Sequence, residues 1–536
     1  MTRRNVRSTV RGAVIGLVVV GLVTPLAAHA EERGVVGSTV DSVLDRVTIV
    51  DLQQGMNARL FTSEQVTRGY LRRIDRINPA LHAVLRVNPD AVEAARQSDA
   101  RRRAHTTRGP LDGIPVLLKE NTDTADRQPT TSGSTALVDS KPAKDAFLVS
   151  RLRDAGAVVL GKTNLSEWSN FRGAPSVDGW SAIGGQTRNP YVLDRSPCGS
   201  SSGAAAAAAA GLAAVTIGTD TGGSVICPAS LNSTVGVKPT LGVVSRSGIV
   251  PITGRQDTPG TIARTVTDAA LALWAIQGVD PADPDTAAAA GTLPRDPSRV
   301  LDRDAVRGKR IGVWRKGHEG QGADVDQVFD NAVKRLRELG ATVVEGADVV
   351  PSEDNTDLLP ALLTEFKHDL NAYLAATPGA HPKDLKGLIE FNRQHADVEL
   401  GLFGQELFEW AERTDGDVTD PVYRAHRAAA TDEARRGIDD VLGRQRLDAI
   451  VTLTSGPAPV LGREGESTPF ASTTRNNSLG GYPHVTVPAG FTRNGLPLGL
   501  SFLGTRATDA KLVGFAYAYE QATHARRAPR YLPTTG

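Results

Sequence analysis

Between Ser196 and Ser224 the chain reads SPCGSSSG, then an alanine-rich run, then TIGTDTGGS. No other stretch restricts the fold so tightly. Ala204–Ala214 is built from the strongest helix former, and Val215-Thr216-Ile217 reads as a short apolar strand. One helix and one strand are therefore held between two Gly/Ser turns, with Ser200–Ser202 expected just before the helix. Glycine lets backbone approach a ligand closely and aim its N–H groups. Serine is a common activated nucleophile. The stretch is expected to carry a catalytic site.

The flanking sequence alternates strands and helices. Thr62-Ser63-Glu64-Gln65 is a capping-box pattern after Phe61, a candidate staple, and Val66, Tyr70, Leu71 and Ile74 share one helical face. Arg101–Arg108 reads as loop. GIPVLLKEN (Gly113–Asn121) is a strand that delivers Lys119 at its end, with Glu120 turned to the opposite side. Asp145 is expected to cap a helix through Asp154, and AGAVVLGKTN then gives a glycine turn and a buried strand. Residues 276–308, rich in Pro, Asp and Ala, read as a long surface connection. RIGVW restarts the sheet, residues 325–445 read as mostly amphipathic helix with Val328, Val333, Leu336 and Leu339 on one side, and LDAIVTL, HVTVPAGF and LPLGLSFLG complete the sheet. Each polar signature follows the C-terminal end of a strand, where open α/β sheets place their sites. Sheet segments bracket the helical insertion at about 325–445, so residues 31–536 are expected to form one intertwined α/β domain. Its large mixed central β-sheet would be flanked by helices on both faces.

Residues 1–30 fit a signal peptide: four arginines without an acid, an apolar run from Ala13 to Leu26, then Ala28-His29-Ala30. Thr2-Arg3-Arg4-Asn5-Val6 also fits a twin-arginine signal. The run is too short for an unassisted membrane span, so the expectation is a secreted protein without stable membrane anchoring after cleavage. Loss of the leader takes the formal charge from +1 to about −3. That balance argues against a nucleic-acid partner, whose readers carry basic patches.

Three chemistries fit the hydroxyl cluster. Gly199-Ser200-Ser201-Ser202-Gly203 satisfies G-x-S-x-G with Ser201 as nucleophile. That elbow needs a strand before it and a histidine partner. The preceding residues look like loop, and neither His484 nor His524 has a persuasive setting. A second reading is a pair of turns that bind an anion or merely turn. A third is a serine hydrolase with a lysine base: desolvation at an apolar strand end without a fixed counter-ion would lower the pKa of Lys119. Against that stands the ordinary strand-end lysine in solvent.

From about Leu52 to Arg527 the chain resembles the amidase signature family. GIPVLLKEN, VVLGKTNLSEW, GGQTRNPY, SPCGSSSG, GTDTGGS, VGVKPTLGVVSRSGIVP, QDTPGTIARTVTDAA and GYPHVTVPAGF carry the resemblance in order. It implies Lys119 as base, Ser200 after a cis peptide as bridging relay, and Ser224 as the acyl-forming nucleophile. The N–H groups of Thr221, Gly222, Gly223 and Ser224 would hold the oxyanion, and neither cofactor nor metal would be required. Cys198 and Ser202 stand where the family usually has glycines, and Val225-Ile226-Cys227-Pro228 lacks the common arginine before proline. These departures, with EFKHDLNAYL and ELGLFGQELFEWA, are similar to the secreted bacterial peptide amidases. The expected substrate is a small-molecule or peptide amide, with C-terminal peptide amides favoured. The glutamine-hydrolysing component of glutamyl-tRNA amidotransferase shares the motifs. If Ser200 and Ser224 are in reach, Cys198 and Cys227, the only cysteines, are near each other. A disulfide is then possible, although two small buried thiols are the commoner state.

Overall fold

The computed structural model describes residues 43–316, 321–350, 357–462 and 472–535; the leader at 1–30 lies outside them. Thr62 caps the helix Ser63–Leu81 in a reciprocal box with Gln65. Val66, Tyr70 and Ile74 are buried on its inner face, with Leu71 partly so.

Thirteen strands follow in chain order: β1 (Val84–Val87), β2 (Pro115–Lys119), β3 (Val158–Thr163), β4 (Trp180–Ser181), β5 (Gly185–Gln186), β6 (Val215–Asp220), β7 (Val235–Lys238), β8 (Thr258–Ala263), β9 (Arg310–Val313), β10 (Thr342–Glu345), β11 (Ala449–Leu453), β12 (His484–Phe491) and β13 (Pro497–Leu503). β4 and β5 pair by themselves. The others form one 11-stranded sheet in the order β1-β3-β2-β6-β8-β7-β12-β13-β11-β9-β10. Its pairs β2/β3, β2/β6, β9/β11 and β9/β10 are parallel and the rest antiparallel, so the sheet is mixed. Every residue of β2, β3, β6, β8 and β13 is buried, as strands covered by helices on both faces require.

Local differences from the expectations above have physical causes. The helix Ser202–Ala209 stops before Ala214 because Gly211 turns the chain at φ +65°, where a Cβ would lie 2.7 Å from the Asp45 backbone. Ser202 is the first helical residue rather than a residue ahead of the helix. Asp145 does not cap Phe147–Asp154; its carboxylate accepts from Ala125 N–H and pairs with Arg153. The helix Ala91–Arg103 runs into the stretch expected to be loop, and Arg101 makes a two-pronged contact with buried Asp112. The stretch 325–445 is not wholly helical. β10 joins the edge of the sheet beside β9, so the helical block proper begins at Leu358.

That block packs onto the site's support. Phe366, Leu370, Leu388 and Phe408 form an apolar cluster with Trp168 and Phe171, and the Trp168 and Phe408 rings meet edge-on at 5.5 Å. Trp168 lies two residues from Ser166, whose N–H donates to the Ser200 carbonyl at 3.0 Å.

Candidate active site

β2 and β6 lie parallel with Leu118 opposite Ile217, so their C-terminal ends release Lys119 and Thr219 side by side. Lys119 Nζ donates to Ser200 Oγ at 2.7 Å and to Thr219 Oγ1 at 2.9 Å. Asn121 Nδ2 donates to the same threonine oxygen at 3.0 Å. Lys119 is fully buried. Burial draws its pKa down to about 7, against the opposing pull of the Asp220 and Asp257 charges. A lysine in this state loses its proton near neutrality and becomes a base.

Ser200 is held from both sides. The Gly199–Ser200 peptide is cis, and the next N–H, that of Ser201, donates to the Ser224 carbonyl at 3.1 Å. A side chain at 199 would sit 2.2 Å from Ser166 Oγ and 2.6 Å from Asp178 Oδ1, so only glycine fits. Cys198 and Cys227 form a disulfide. The commoner state of two thiols is thus replaced by a covalent tie between the Ser200 turn and the helix Ile226–Leu231 that follows Ser224. Ser202 Oγ donates to the Cys198 carbonyl at 2.6 Å, a use for one of the two residues that depart from the glycine pattern.

The second turn is organised by Asp220. Its Oδ1 accepts from Gly223 N–H at 2.9 Å and Ser478 Oγ at 2.7 Å, and its Oδ2 from Val225 N–H at 2.7 Å. This corrects one expected oxyanion donor: the N–H of Gly223 is taken, and its φ of +118° makes it a turning residue. The N–H groups of Thr221, Gly222 and Ser224 have no acceptor among the described residues. Thr221 Oγ1 donates to Asp257 Oδ1 at 2.6 Å, and the Thr221 carbonyl accepts from Gln256 Nε2. Gly222 borders open space, which leaves room for a substrate carbonyl. Ser224, 7% exposed, closes the turn.

The G-x-S-x-G reading fails on contact. Ser201 Oγ is fully buried, donates to the Thr219 carbonyl at 3.0 Å and accepts from the Thr219 N–H at 3.2 Å. No strand among the described residues leads into it. His484 lies buried in β12 against Ser501 Oγ at 2.6 Å, and burial together with the Lys238 charge drives its pKa to about 3. His524 is the exposed C-cap of the helix Asp509–Thr523.

Sequence reasoning misses Thr219, Asn121, Asp220, Asp257 and Gln256 as site residues, although they sit in the quoted motifs. A signal exists for Asp220: an acid three and five residues before turn N–H groups is placed to accept from them. Nothing local announces Asp257, whose partner Thr221 is 36 positions away.

An amidase family model matches residues 65–513. A probable amidase of Arabidopsis thaliana is 40% identical over 91% of this chain and 92% of its own. In Moorella thermoacetica, the glutamyl-tRNA(Gln) amidotransferase component of the same family is 34% identical over 90% of this chain and 98% of its own. Among solved structures, the native peptide amidase of Stenotrophomonas maltophilia superposes with a TM-score of 0.85 at 47% identity, covering 91% of this chain and 99% of that one. The chain belongs to the amidase signature family. It is an amide-hydrolysing enzyme with the architecture of a peptide amidase.

Proposed function

We propose that the enzyme hydrolyses C-terminal peptide amides to the carboxylate and ammonia through an acyl-enzyme on Ser224. Lys119, neutral near pH 7, takes a proton from Ser200 Oγ as Ser200 takes one from Ser224 Oγ. Ser224 attacks the amide carbon, and the N–H groups of Thr221, Gly222 and Ser224 receive the developing oxyanion. The protons return by the same path to the departing nitrogen, which leaves as ammonia. Water then repeats the attack on the ester and frees Ser224. The observation that carries this reading is the 2.7 Å contact between a fully buried lysine and Ser200. The Ser201–Ser224 backbone bond and the disulfide support it by joining the two serine-bearing turns.

The peptide-amide substrate is supported by the 47% identity to a peptide amidase and by an apolar Ile226 where a guanidinium is common. That identity exceeds the 34% shared with the amidotransferase component. Export by residues 1–30 belongs to the same proposal, supported by the basic and apolar order of that segment. A disulfide is at home in an oxidising compartment.

Ammonia release from a C-terminal peptide amide, a simple aliphatic amide, an aromatic amide and free glutamine tests the reading, with Ser224→Ala as blank. Selective release from the peptide amide is expected. Equal release from the simple amides would demote the peptide preference, and release by Ser224→Ala would remove the nucleophile.

A further inference from the structure

Beside the second turn, the helix Pro421–Gln445 and the loop around Arg255 enclose a cleft of about 520 Å³. Arg255, Tyr423, Arg424, Arg427, Asp432 and Arg435 line it, so four guanidinium groups meet one carboxylate. Arg427 is the buried member, 8% exposed. Its Nε pairs with Glu365 at 3.2 Å and its Nη1 donates to Gln256 Oε1 at 2.9 Å. Its Nη2 is buried without a hydrogen-bond partner.

Glu365 cannot supply that partner cheaply. One of its oxygens accepts from Tyr423 OH at 2.6 Å as well as pairing with Arg427, and the other accepts from Thr253 Oγ1. A buried guanidinium N–H left unpaired is costly, and a guanidinium fork matches a carboxylate. Arg255 and Arg424 are exposed and make no ion pair among the described residues. Gln256, bonded to Arg427, donates in turn to the Thr221 carbonyl. The cleft therefore stands one side chain removed from the turn that would hold the scissile carbonyl.

We infer that this cleft receives a carboxylate of the substrate: an acidic side chain upstream of the terminal amide, bound by Arg427 Nη2 with Arg255 and Arg424 beside it. The inference rests on the peptide-amide reading above and deepens it. The enzyme would favour acidic peptide amides, and Gln256 would couple the occupied cleft to the oxyanion turn.

Calorimetry on Ser224→Ala protein tests it, using acetylated peptide amides in which an aspartate is moved stepwise through an alanine background. One register is expected to bind about tenfold tighter than the all-alanine peptide, the size of one charge-assisted contact. The advantage should shrink at high salt and vanish in Arg255→Ala/Arg424→Ala, with the alanine peptide unaffected. Equal binding of acidic and neutral peptides overturns the inference, as does a preference that survives in the double variant. Free glutarate separates substrate from effector: competition with the acidic peptide alone supports a substrate subsite. Glutarate that binds alongside the acidic peptide overturns it. Ammonia release from the all-alanine amide by the wild-type enzyme is scored separately. Its absence would sink the peptide-amide reading whatever the binding data show.

Discussion

Lys119 Nζ meets Ser200 Oγ at 2.7 Å across 81 positions of sequence, in a site where no described carboxylate lies at hydrogen-bond distance from the lysine. Its neighbours are hydroxyls. That arrangement makes the lysine a base, and its consequences are measurable.

The rate should follow the deprotonated fraction of Lys119. With its pKa near 7, kcat/KM is expected to rise with pH through neutrality and to fall below it. A profile flat down to pH 5 would remove the lysine from the proton path. Lys119→Ala should lose about 10²–10⁴-fold in rate, the usual worth of a positioned base.

The same burial has a cost in stability. The side chain titrates at 10.5 when exposed and at about 7 when folded. Between those values the unfolded chain holds a proton that the folded one does not, so this group makes stability rise with pH across that window and weighs most heavily below it. Lys119→Met should therefore be inactive and yet more stable at pH 6, by roughly 1–3 kcal/mol once the lost hydrogen bonds are set against the relieved desolvation. Denaturant unfolding of both proteins at pH 6 gives the answer; a less stable Met variant contradicts the account.

Asp220→Asn should move the acid limb of the pH profile to lower pH. The Asp220 charge raises the lysine pKa, and its removal lets the proton leave more easily. Asparagine has one acceptor oxygen for Gly223 N–H, Ser478 Oγ and Val225 N–H, so kcat should fall as well, with KM changing less. An unmoved acid limb would show that Asp220 does not act on Lys119 through charge.

Ser201→Ala and Ser224→Ala should part company. The first loses two buried hydrogen bonds to Thr219, costing about 1–3 kcal/mol of stability, and keeps measurable turnover. The second should keep its fold and lose turnover. The reverse pattern would restore the G-x-S-x-G nucleophile.

Unfolded, unreduced protein should show no free thiol. Cys198→Ala/Cys227→Ala should lose about 2–4 kcal/mol and, with the Ser200 turn untied, lower kcat more than it raises KM. Two reactive thiols in the wild-type chain would refute the bridge.

The reach of sequence reasoning varies with distance along the chain. Strand ends, the Thr62 cap and the placement of Lys119 are readable because periodicity and capping are local. Lys119, Ser200 and Ser224 emerge as a set from motifs rather than from periodicity. Helix propensity overextends Ala204–Ala214 because it continues past Gly211, where the close approach of Asp45 ends the helix. β10 passes for helix since an edge strand of four residues, exposed at both ends, carries little pattern. The capture of Gly223 N–H by Asp220 depends on turn geometry. The Arg427–Gln256–Thr221 chain depends on contacts spanning 171 and 35 positions, which no local pattern encodes.

The parallel pairing of β2 with β6 has one more implication. Lys119 and Thr219 are spaced by sheet hydrogen bonding, while the arginine-lined cleft is built largely from a helix entering between β10 and β11. Reaction and recognition thus occupy separately encoded parts of the molecule. The helical block could be exchanged for another, with new appetites for substrate, while the distances along which the proton moves stayed the same.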